Sequence, residues 1–424
     1  MATGGLQVGE VVKTTIDAVA FGGAGVGRVK GMVVFAPFTV TGDEAELEIG
    51  EVRKKFALGK LRRILNSSRY RIAPLCRYFG QCGGCQLQHV AYEHQLEIKE
   101  KQVREIFERL GKFSSPPLLD IIPSPERFNY RGKADYHVRT AKEGDVPAVG
   151  FLHTSEDRVL DIERCEIVEE SINRACLAFR ENLFRSGRAT KNERQTIWSA
   201  AGGEDYLDGG SSDEPALVMR TVKNRRLIVP YGGFFQVNNS LVDLLVDKVI
   251  DLCELTGAET VLDGYCGAGL FSLFLAPHAR SVTGVEINGD AVQCARSNLQ
   301  EAGLLNAVFF QGEIGGIIKQ KLIKRGMKAD VLVLDPPRSG CRKEVLDAVR
   351  EIQPKKIVYI SCNPSTQVRD IRYLVDNGFS LKLLQPVDMF PQTGHIEVIG
   401  LLIPLCSGSD SASQLVRSAS ARLA

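Results

Sequence analysis

The stretch TVLDGYCGAGLFSL, residues 260–273, is an apolar strand pattern that runs into a glycine-rich turn and then an apolar helix pattern. Glycines let a backbone come close to a ligand, and the start of the following helix offers unpaired N–H groups. The same rhythm recurs around it. RSVTGVEI (280–287), AVFFQGE (307–313), ADVLVLDPP (329–337) and KIVYISCNP (356–364) read as short buried strands separated by helical stretches. From about residue 240 onward this alternation predicts a parallel sheet covered on both faces by helices.

A glycine turn alone is equally the mark of a tight bend, so its neighbours decide. The next strand ends in VEIN, which sets Glu286 about 20 residues beyond the loop, where an acid accepts from ribose hydroxyls. Nicotinamide dinucleotides need such an acid too, but their GxGxxG loop faces a pyrophosphate. Here the loop is D-x-Y-C-G-x-G, with Asp263 at the strand end. A carboxylate at that point suits a positively charged amino acid and sulfonium, which points to S-adenosylmethionine. The order of loop, ribose acid and DPPR at 335–338 resembles the class I methyltransferases.

VYISCNPSTQVRD, residues 358–370, ends an apolar strand on Cys362 and turns at Asn363–Pro364. Strand ends in an open parallel sheet face the ligand crevice, so Cys362 is expected to point toward the methyl donor. Further on, FPQTGHIEVIG (390–400) puts Glu397 at the start of another apolar strand, close to His395. One cysteine and one carboxylate are what methylation at C5 of a pyrimidine requires. A thiolate adds to C6 so that C5 can attack the sulfonium methyl, and a base then removes the C5 proton. Cys362 is the expected nucleophile and Glu397 the expected base.

With FFQVN at 234–238 these motifs make the chain similar to the RNA uracil-5-methyltransferase family, over residues 6 to about 405. By position in the motifs, the resemblance implies that Gln236, Tyr265, Glu286 and Asp335 contact S-adenosylmethionine. It also implies Cys362 as nucleophile, Glu397 as base, and extrusion of the target uridine from its RNA stack. A cytosine-5 methyltransferase is a rival, but its nucleophile lies in Pro-Cys or Thr-Cys, and here the pair is Ser361–Cys362. A non-catalytic RNA-binding protein with this fold is a second rival, opposed by the intact Cys362 and Glu397. An electron-transfer protein is a third.

Residues 6–65 alternate apolar and polar positions in VVKTTIDAVA, RVKGMVVFAPF and EAELEIGEVR, broken by FGGAGVG and TVTGDE, and predict a small antiparallel barrel. DAVAFGGAGVGRVKGMVVFAPF resembles the TRAM domain, an RNA-binding barrel. The exit of the barrel carries Arg53, Lys54, Lys55, Lys60, Arg62, Arg63, Arg69 and Arg71 with no acid among them, a run expected to contact phosphate. AYEHQLEIKEKQVREIFERLG, with Leu96, Val103, Ile106, Phe107 and Leu110 near the 3.6 period, predicts an amphipathic helix ending at Gly111. A proline-rich connection follows. YRGKADYHVRT, AVGFLH, RVLDI, ALVMRTV and RRLIV then predict a strand-rich region over 128–231. That region reads either as a plain α+β scaffold or as a surface for single-stranded RNA.

LCRYFGQCGGCQLQH, residues 75–89, holds Cys76, Cys82 and Cys85 in a C-x5-C-x2-C spacing, and RVLDIERCEIVEE supplies Cys165. The N-terminus lacks a signal-peptide pattern and no apolar run spans a bilayer, so a cytoplasmic location, no membrane and reduced thiols are expected. Eleven cysteines in that setting argue against disulfides. Four thiolates fit structural zinc or an iron–sulfur cluster, and the spacing alone leaves both open. The family resemblance implies a [4Fe-4S] cluster, structural rather than radical-forming, and favours ribosomal over transfer RNA as partner. The other six cysteines read as small core or surface residues.

The expected architecture is multidomain α/β. Residues 1–66 form a TRAM-like barrel, and 67–90 with 120–232 form a central strand-rich α+β domain with the four-cysteine cluster. Residues 91–119 with 233–406 form a Rossmann-like class I methyltransferase domain, and 407–424 a disordered tail. Net charge is only +2, so affinity for RNA has to come from local patches on a chain expected to be a monomer.

Overall fold

The structure is a computed structural model that describes residues 5–140, 147–186, 193–199, 217–326 and 328–405. Cys406 and the tail expected at 407–424 lie outside the described residues. Among the described residues no helix is long and apolar enough to cross a membrane.

Strands β1 (Val11–Val19), β2 (Gly25–Val29), β3 (Met32–Ala36), β4 (Glu44–Val52) and β5 (Phe56–Asn66) close into a barrel in the order β1-β2-β3-β5-β4. The period-2 alternation turns Val12, Ile16, Val34, Leu47 and Ile49 inward, where they form the barrel core. The basic run at its exit meets acids that its own segment lacks. β4 lies antiparallel to β5, so Glu46 faces Arg63 and Glu48 reaches Arg62 across the ladder. Arg53 pairs with Glu51, and Arg71 is fixed on the buried Asp43 at 2.6 Å. Lys54, Lys55, Lys60 and Arg69 have no carboxylate within ion-pair distance among the described residues. The charge open to phosphate is thus about half of what the run itself displays.

Helix α1 (Tyr92–Arg109) leads to a central antiparallel sheet of β6 (Lys133–Arg139), β7 (Ala148–Leu152), β8 (Val159–Asp161) and β9 (Glu193–Trp198), in the order β8-β7-β6-β9. Helix α2 (Glu170–Ser186) covers one face, packing Ile172, Ala175 and Cys176 on Ala134, Tyr136 and Val138. The strand pattern foreshadows β6 to β8, whereas α2 has no counterpart in the sequence reading. A hairpin of β10 (Leu217–Val222) and β11 (Arg225–Pro230) turns through Lys223 and Asn224, both at positive φ, the geometry that matches strand twist in a two-residue turn. It packs against the helices of the following sheet.

That sheet has seven strands, and among the described residues eleven helices and strands alternate before its last hairpin. In chain order come α3 (Val242–Cys253), β12 (Thr260–Gly264), α4 (Leu270–Leu275), β13 (Ser281–Glu286), α5 (Gly289–Glu301) and β14 (Ala307–Gln311). Then follow α6 (Ile314–Ile317), β15 (Val331–Leu334), α7 (Lys343–Ile352), β16 (Lys356–Ser361), α8 (Pro364–Asp376), β17 (Phe379–Val387) and β18 (Glu397–Pro404). The order across the sheet is β14-β13-β12-β15-β16-β18-β17. Five strands run parallel, as the buried-strand alternation predicts, and β18 runs antiparallel to both β16 and β17. The chain reverses its direction of travel between β12 and β15, and the crevice beyond their C-terminal ends is where open α/β sheets hold ligands.

Helix α1 packs on this sheet through Val103 and Phe107. Its buried face also takes in Gln95, Lys99 and Gln102, three polar residues that the apolar periodicity assigns to solvent.

Candidate active site

After β12 the chain turns through Tyr265, Gly267 and Gly269, at φ of 64°, 53° and 82°. Glycine takes the last two at little cost, and Tyr265 is held in the left-handed region by the turn around it. Gly269 opens α4. The Glu286 carboxylate at the end of β13 accepts from the Gly267 amide at 3.1 Å and from the Asn288 amide at 2.8 Å. One acid thus pins the glycine turn and the next loop together. Asp263 accepts from the Ser272 amide and hydroxyl through one oxygen, at 3.0 and 2.6 Å, while its other oxygen is buried with no partner among the described residues. Burial pushes the Asp263 carboxyl up to about 7 against those two bonds.

Across the crevice, Gln236 is buried, and its Nε2 donates to Asp335 Oδ2 at 3.2 Å. Burial and the neighbouring Asp263 charge push Asp335 up to about 7 as well. Both carboxyls are thus pushed toward neutral pH, where a nearby cation would favour their ionised forms.

Cys362 follows β16 directly. The antiparallel β16/β18 ladder ends at the pair Ser361–Val398, which leaves Cys362 just past the end of β16 and Glu397 at the start of β18, at the same end of the two strands. Burial, then the Glu397 charge, pushes the Cys362 thiol up to about 11, and the Arg338 guanidinium opposes both. Glu397 is 3% exposed, and burial followed by the Asp335 charge holds it well above the usual carboxylate range. Asn363 caps α8 by accepting from the Ser365 amide at 3.2 Å, with Pro364 in the first turn. Asn363 Nδ2 and Thr366 Oγ1 donate to the Arg338 carbonyl at 3.0 and 3.1 Å, which ties the DPPR turn to the turn after Cys362.

The sequence motifs contain Arg338 and His395, but no role is read for either from sequence. The structure sets Arg338 NH2 3.3 Å from His395 Nε2, so the ring accepts there and carries its proton on Nδ1. Burial, then the Arg338 charge, lowers His395 to about 4, which keeps it neutral. Phe234 is missed too: it is 71% exposed beside the buried Phe235–Gln236 pair. An exposed aromatic next to a crevice is a usable sign, masked in sequence by its apolar neighbours.

The four cysteines come together elsewhere. Cys76, Cys82, Cys85 and Cys165 line one cavity of about 220 Å³, walled also by Phe151 and Ile162. The Cys76 amide donates to Gln88 Oε1 at 3.0 Å and the Cys165 amide to Asn173 Oδ1 at 2.9 Å, so both segments are anchored by side chains. Burial pushes all four thiols up, Cys165 to about 12. Among the described residues no three His, Cys, Asp or Glu side chains converge on the position of a single metal ion.

Residues 219–404 match the family model of tRNA (uracil-5-)-methyltransferases, and residues 5–61 match that of the TRAM domain. An RNA methyltransferase of Bacillus cereus is 33% identical over 94% of this chain and 97% of its own length. One from Caldanaerobacter subterraneus is 34% identical over 94% of this chain and 99% of its own. The fold is shared with the Pyrococcus abyssi tRNA (uracil-54, C5)-methyltransferase solved with S-adenosyl-L-homocysteine, at a TM-score of 0.71 and 23% identity. That match spans 92% of this chain and all of the other. A barrel, a crevice with paired acids and a cysteine beside a glutamate are arranged along a chain whose relatives match it nearly end to end, and the chain belongs to the RNA (uracil-5-)-methyltransferase family.

Proposed function

We propose that the protein methylates C5 of a uridine in large-subunit ribosomal RNA through a covalent adduct between Cys362 and C6 of the base. The observation that carries this reading is the β16/β18 register, whose last pair, Ser361–Val398, leaves Cys362 and Glu397 at the same end of the two strands. S-Adenosylmethionine, when bound, supplies an electrophilic methyl group and a positive charge. Tyr265, Glu286, Asp335 and Gln236 are its proposed contacts. Glu286 offers carboxylate oxygens at the glycine turn, and Asp335 offers a carboxyl that a cation would ionise.

The Cys362 thiolate forms the bond to C6, and the electron pair of the C5–C6 double bond moves toward O4. The C5 carbanion equivalent takes the methyl group, whose bonding pair stays on the departing sulfur. Glu397 then accepts the C5 proton, the C5–H pair restores the double bond, and the C6–S pair returns to Cys362. Arg338, against Cys362 and Glu397, favours both anions that this sequence needs. Phe234 offers an exposed ring on which an unpaired base can stack.

Cys76, Cys82, Cys85 and Cys165 are the proposed ligands of a [4Fe-4S] cluster. Four thiols framing a cavity of about 220 Å³ fit a polynuclear group better than one zinc ion, whose sulfur ligands close to about 2.3 Å. The group would cross-link the segment near residue 80 to the central sheet. Protein purified without oxygen is expected to be brown and to hold roughly four irons per chain. Cys165→Ser should lose both colour and iron although it lies far from the trio in sequence. Stoichiometric zinc without iron would refute the assignment.

The division of labour we infer is a barrel over 1–66, a central domain over 67–90 and 120–232, and a methyltransferase domain over 91–119 and 233–406, in a cytoplasmic monomer. Ribosomal RNA is preferred because the four-cysteine set goes with the ribosomal members that the sequence resembles. Transfer RNA is the second reading, favoured by the family model and by the Pyrococcus neighbour's substrate. Mapping 5-methyluridine in RNA from a deletion strain separates them. Loss of one site in large-subunit RNA is the expected result, and loss only in transfer RNA would select the second reading.

A further inference from the structure

Residues 388–396, between β17 and β18, deliver Glu397 to the crevice, and the N-terminal half of the chain holds much of this loop. Lys99 Nζ donates to Asp388 Oδ1 at 2.6 Å and to the Phe390 carbonyl at 3.0 Å. The Tyr130 hydroxyl donates to the Pro391 carbonyl at 3.0 Å. The amides of Gln86 and Leu87 both donate to the Gln392 carbonyl, at 3.1 and 2.9 Å. The Gly394 amide donates in return to Gln86 Oε1 at 3.0 Å. Gln86 therefore grips the loop on both sides of Thr393, immediately ahead of His395–Ile396–Glu397.

Gln86 is also where two other parts of the chain meet. It follows Cys85 directly, and its Nε2 donates to the Gly83 carbonyl at 2.9 Å. On its other side lies the β1–β2 turn of the barrel, where Gly22 and Gly23 sit at φ of 95° and 94°. A Cβ added to Gly23 would lie 2.6 Å from Gln86 Cβ, and one added to Gly394 would lie 2.6 Å from the carbonyl carbon of Gly22. The cysteine segment, the barrel turn and the loop that carries Glu397 are in van der Waals contact through one side chain.

The geometry assigns Gln86 the role of a positioning residue for the last step of the reaction. By accepting from the Gly394 amide it fixes where the Glu397 carboxylate stands when it takes the C5 proton. Order in the cysteine segment and in the barrel turn is thereby felt at proton removal. The inference rests on the reading of Glu397 as base. Displacement of a catalytic group by about 1 Å can cost on the order of 100-fold, so one lost anchor next to the loop has a measurable effect.

Gln86→Met removes the acceptor at similar size, and Gln86→Glu keeps it. Full-length protein with its cysteine site intact is mixed with unmodified RNA and labelled methyl donor. Turnover, KM for the donor and the fraction of protein in a denaturant-resistant methylated adduct are then read together. Gln86→Met is expected to turn over roughly tenfold more slowly with an unchanged donor KM, and its adduct fraction is expected to rise. Gln86→Glu should turn over faster than Gln86→Met and hold less adduct, because it still accepts the Gly394 amide although it loses the donor to the Gly83 carbonyl. Gly394→Ala, which forces the barrel turn and the loop apart, should show the same adduct signature as Gln86→Met and serves if that variant does not fold.

A variant that slows without accumulating adduct, or is not rescued by glutamate, overturns the assignment. Glu397→Gln run alongside separates the two levels. If it accumulates adduct and neither Gln86→Met nor Gly394→Ala does, the positioning role fails and the base reading stands. If Glu397→Gln itself accumulates none, both fail.

Discussion

Cys362→Ala protein, given unmodified RNA and methyl donor, is expected to transfer no methyl group and to form no covalent complex, a loss of at least about 10⁴-fold. Glu397→Gln should fail differently. Addition to C6 and methyl transfer need the thiolate, whereas release needs the C5 proton removed. This variant should therefore stall as a methylated RNA bound to protein, with turnover lower by roughly 10²- to 10⁴-fold. RNA carrying 5-fluorouridine should trap the unaltered protein in the same state, because fluorine cannot leave as a proton does. A denaturing gel separates the cases: a slow band for Glu397→Gln and for the fluorinated substrate, and none for Cys362→Ala. A band that survives in Cys362→Ala moves the nucleophile elsewhere. Fast turnover by Glu397→Gln with no adduct removes Glu397 from the role of base. The register supports the pairing, since the last ladder pair, Ser361–Val398, directly adjoins Cys362 on one strand and Glu397 on the other.

The second large effect is on stability. Lys99 and Asp388 are both fully buried, and Lys99 also donates to the Phe390 carbonyl. Removing one partner of such a pair strands the other charge in a dry site, at a cost of about 3–5 kcal/mol. Lys99→Met is thus expected to lower the urea midpoint followed by circular dichroism well beyond the change from an exposed substitution such as Lys101→Met. Adding Asp388→Leu should recover more than half of the loss, because no unpaired charge then remains. The carbonyl of Phe390 keeps its Thr393 donors but loses the charged one, so recovery is incomplete. An unchanged midpoint in Lys99→Met would falsify this account of the helix.

Lys99 also marks the limit of what can be read from sequence. The parallel strands are legible because buried strands such as VLVL and IVYI have few other uses, and the barrel is legible from its alternation. The crevice residues are legible because strand ends before glycine or proline turns are where side chains face ligand. The burial of Gln95, Lys99 and Gln102 is not legible, because they answer to carbonyls of Val19, Leu87, Val90 and Phe390, two of which, Val19 and Phe390, are brought near only by folding. The counter-charges of the basic run are hidden for a related reason: they sit on the neighbouring strand, where a linear scan of the run does not look. Helix α2 is obscured because its apolar residues, packed on one side of the central sheet, are diluted by arginines and glutamates on the other.

The place of β18 has a consequence for synthesis. Among the described residues it is the last strand made, yet it lies between β16 and β17, which leave the ribosome before it. Until it arrives, those two strands present unpaired edges to each other across the gap it will fill, the kind of edge that recruits other chains. A nascent chain that has just exposed Cys362 has no Glu397 beside it. The thiol is then born into an unfinished sheet, surrounded by the very class of macromolecule that the finished protein modifies. Insertion of β18 closes the edges and brings Glu397 to the Cys362 end of β16 in one event, so under the proposed mechanism the ability to release a methylated base is acquired no earlier than the sheet itself.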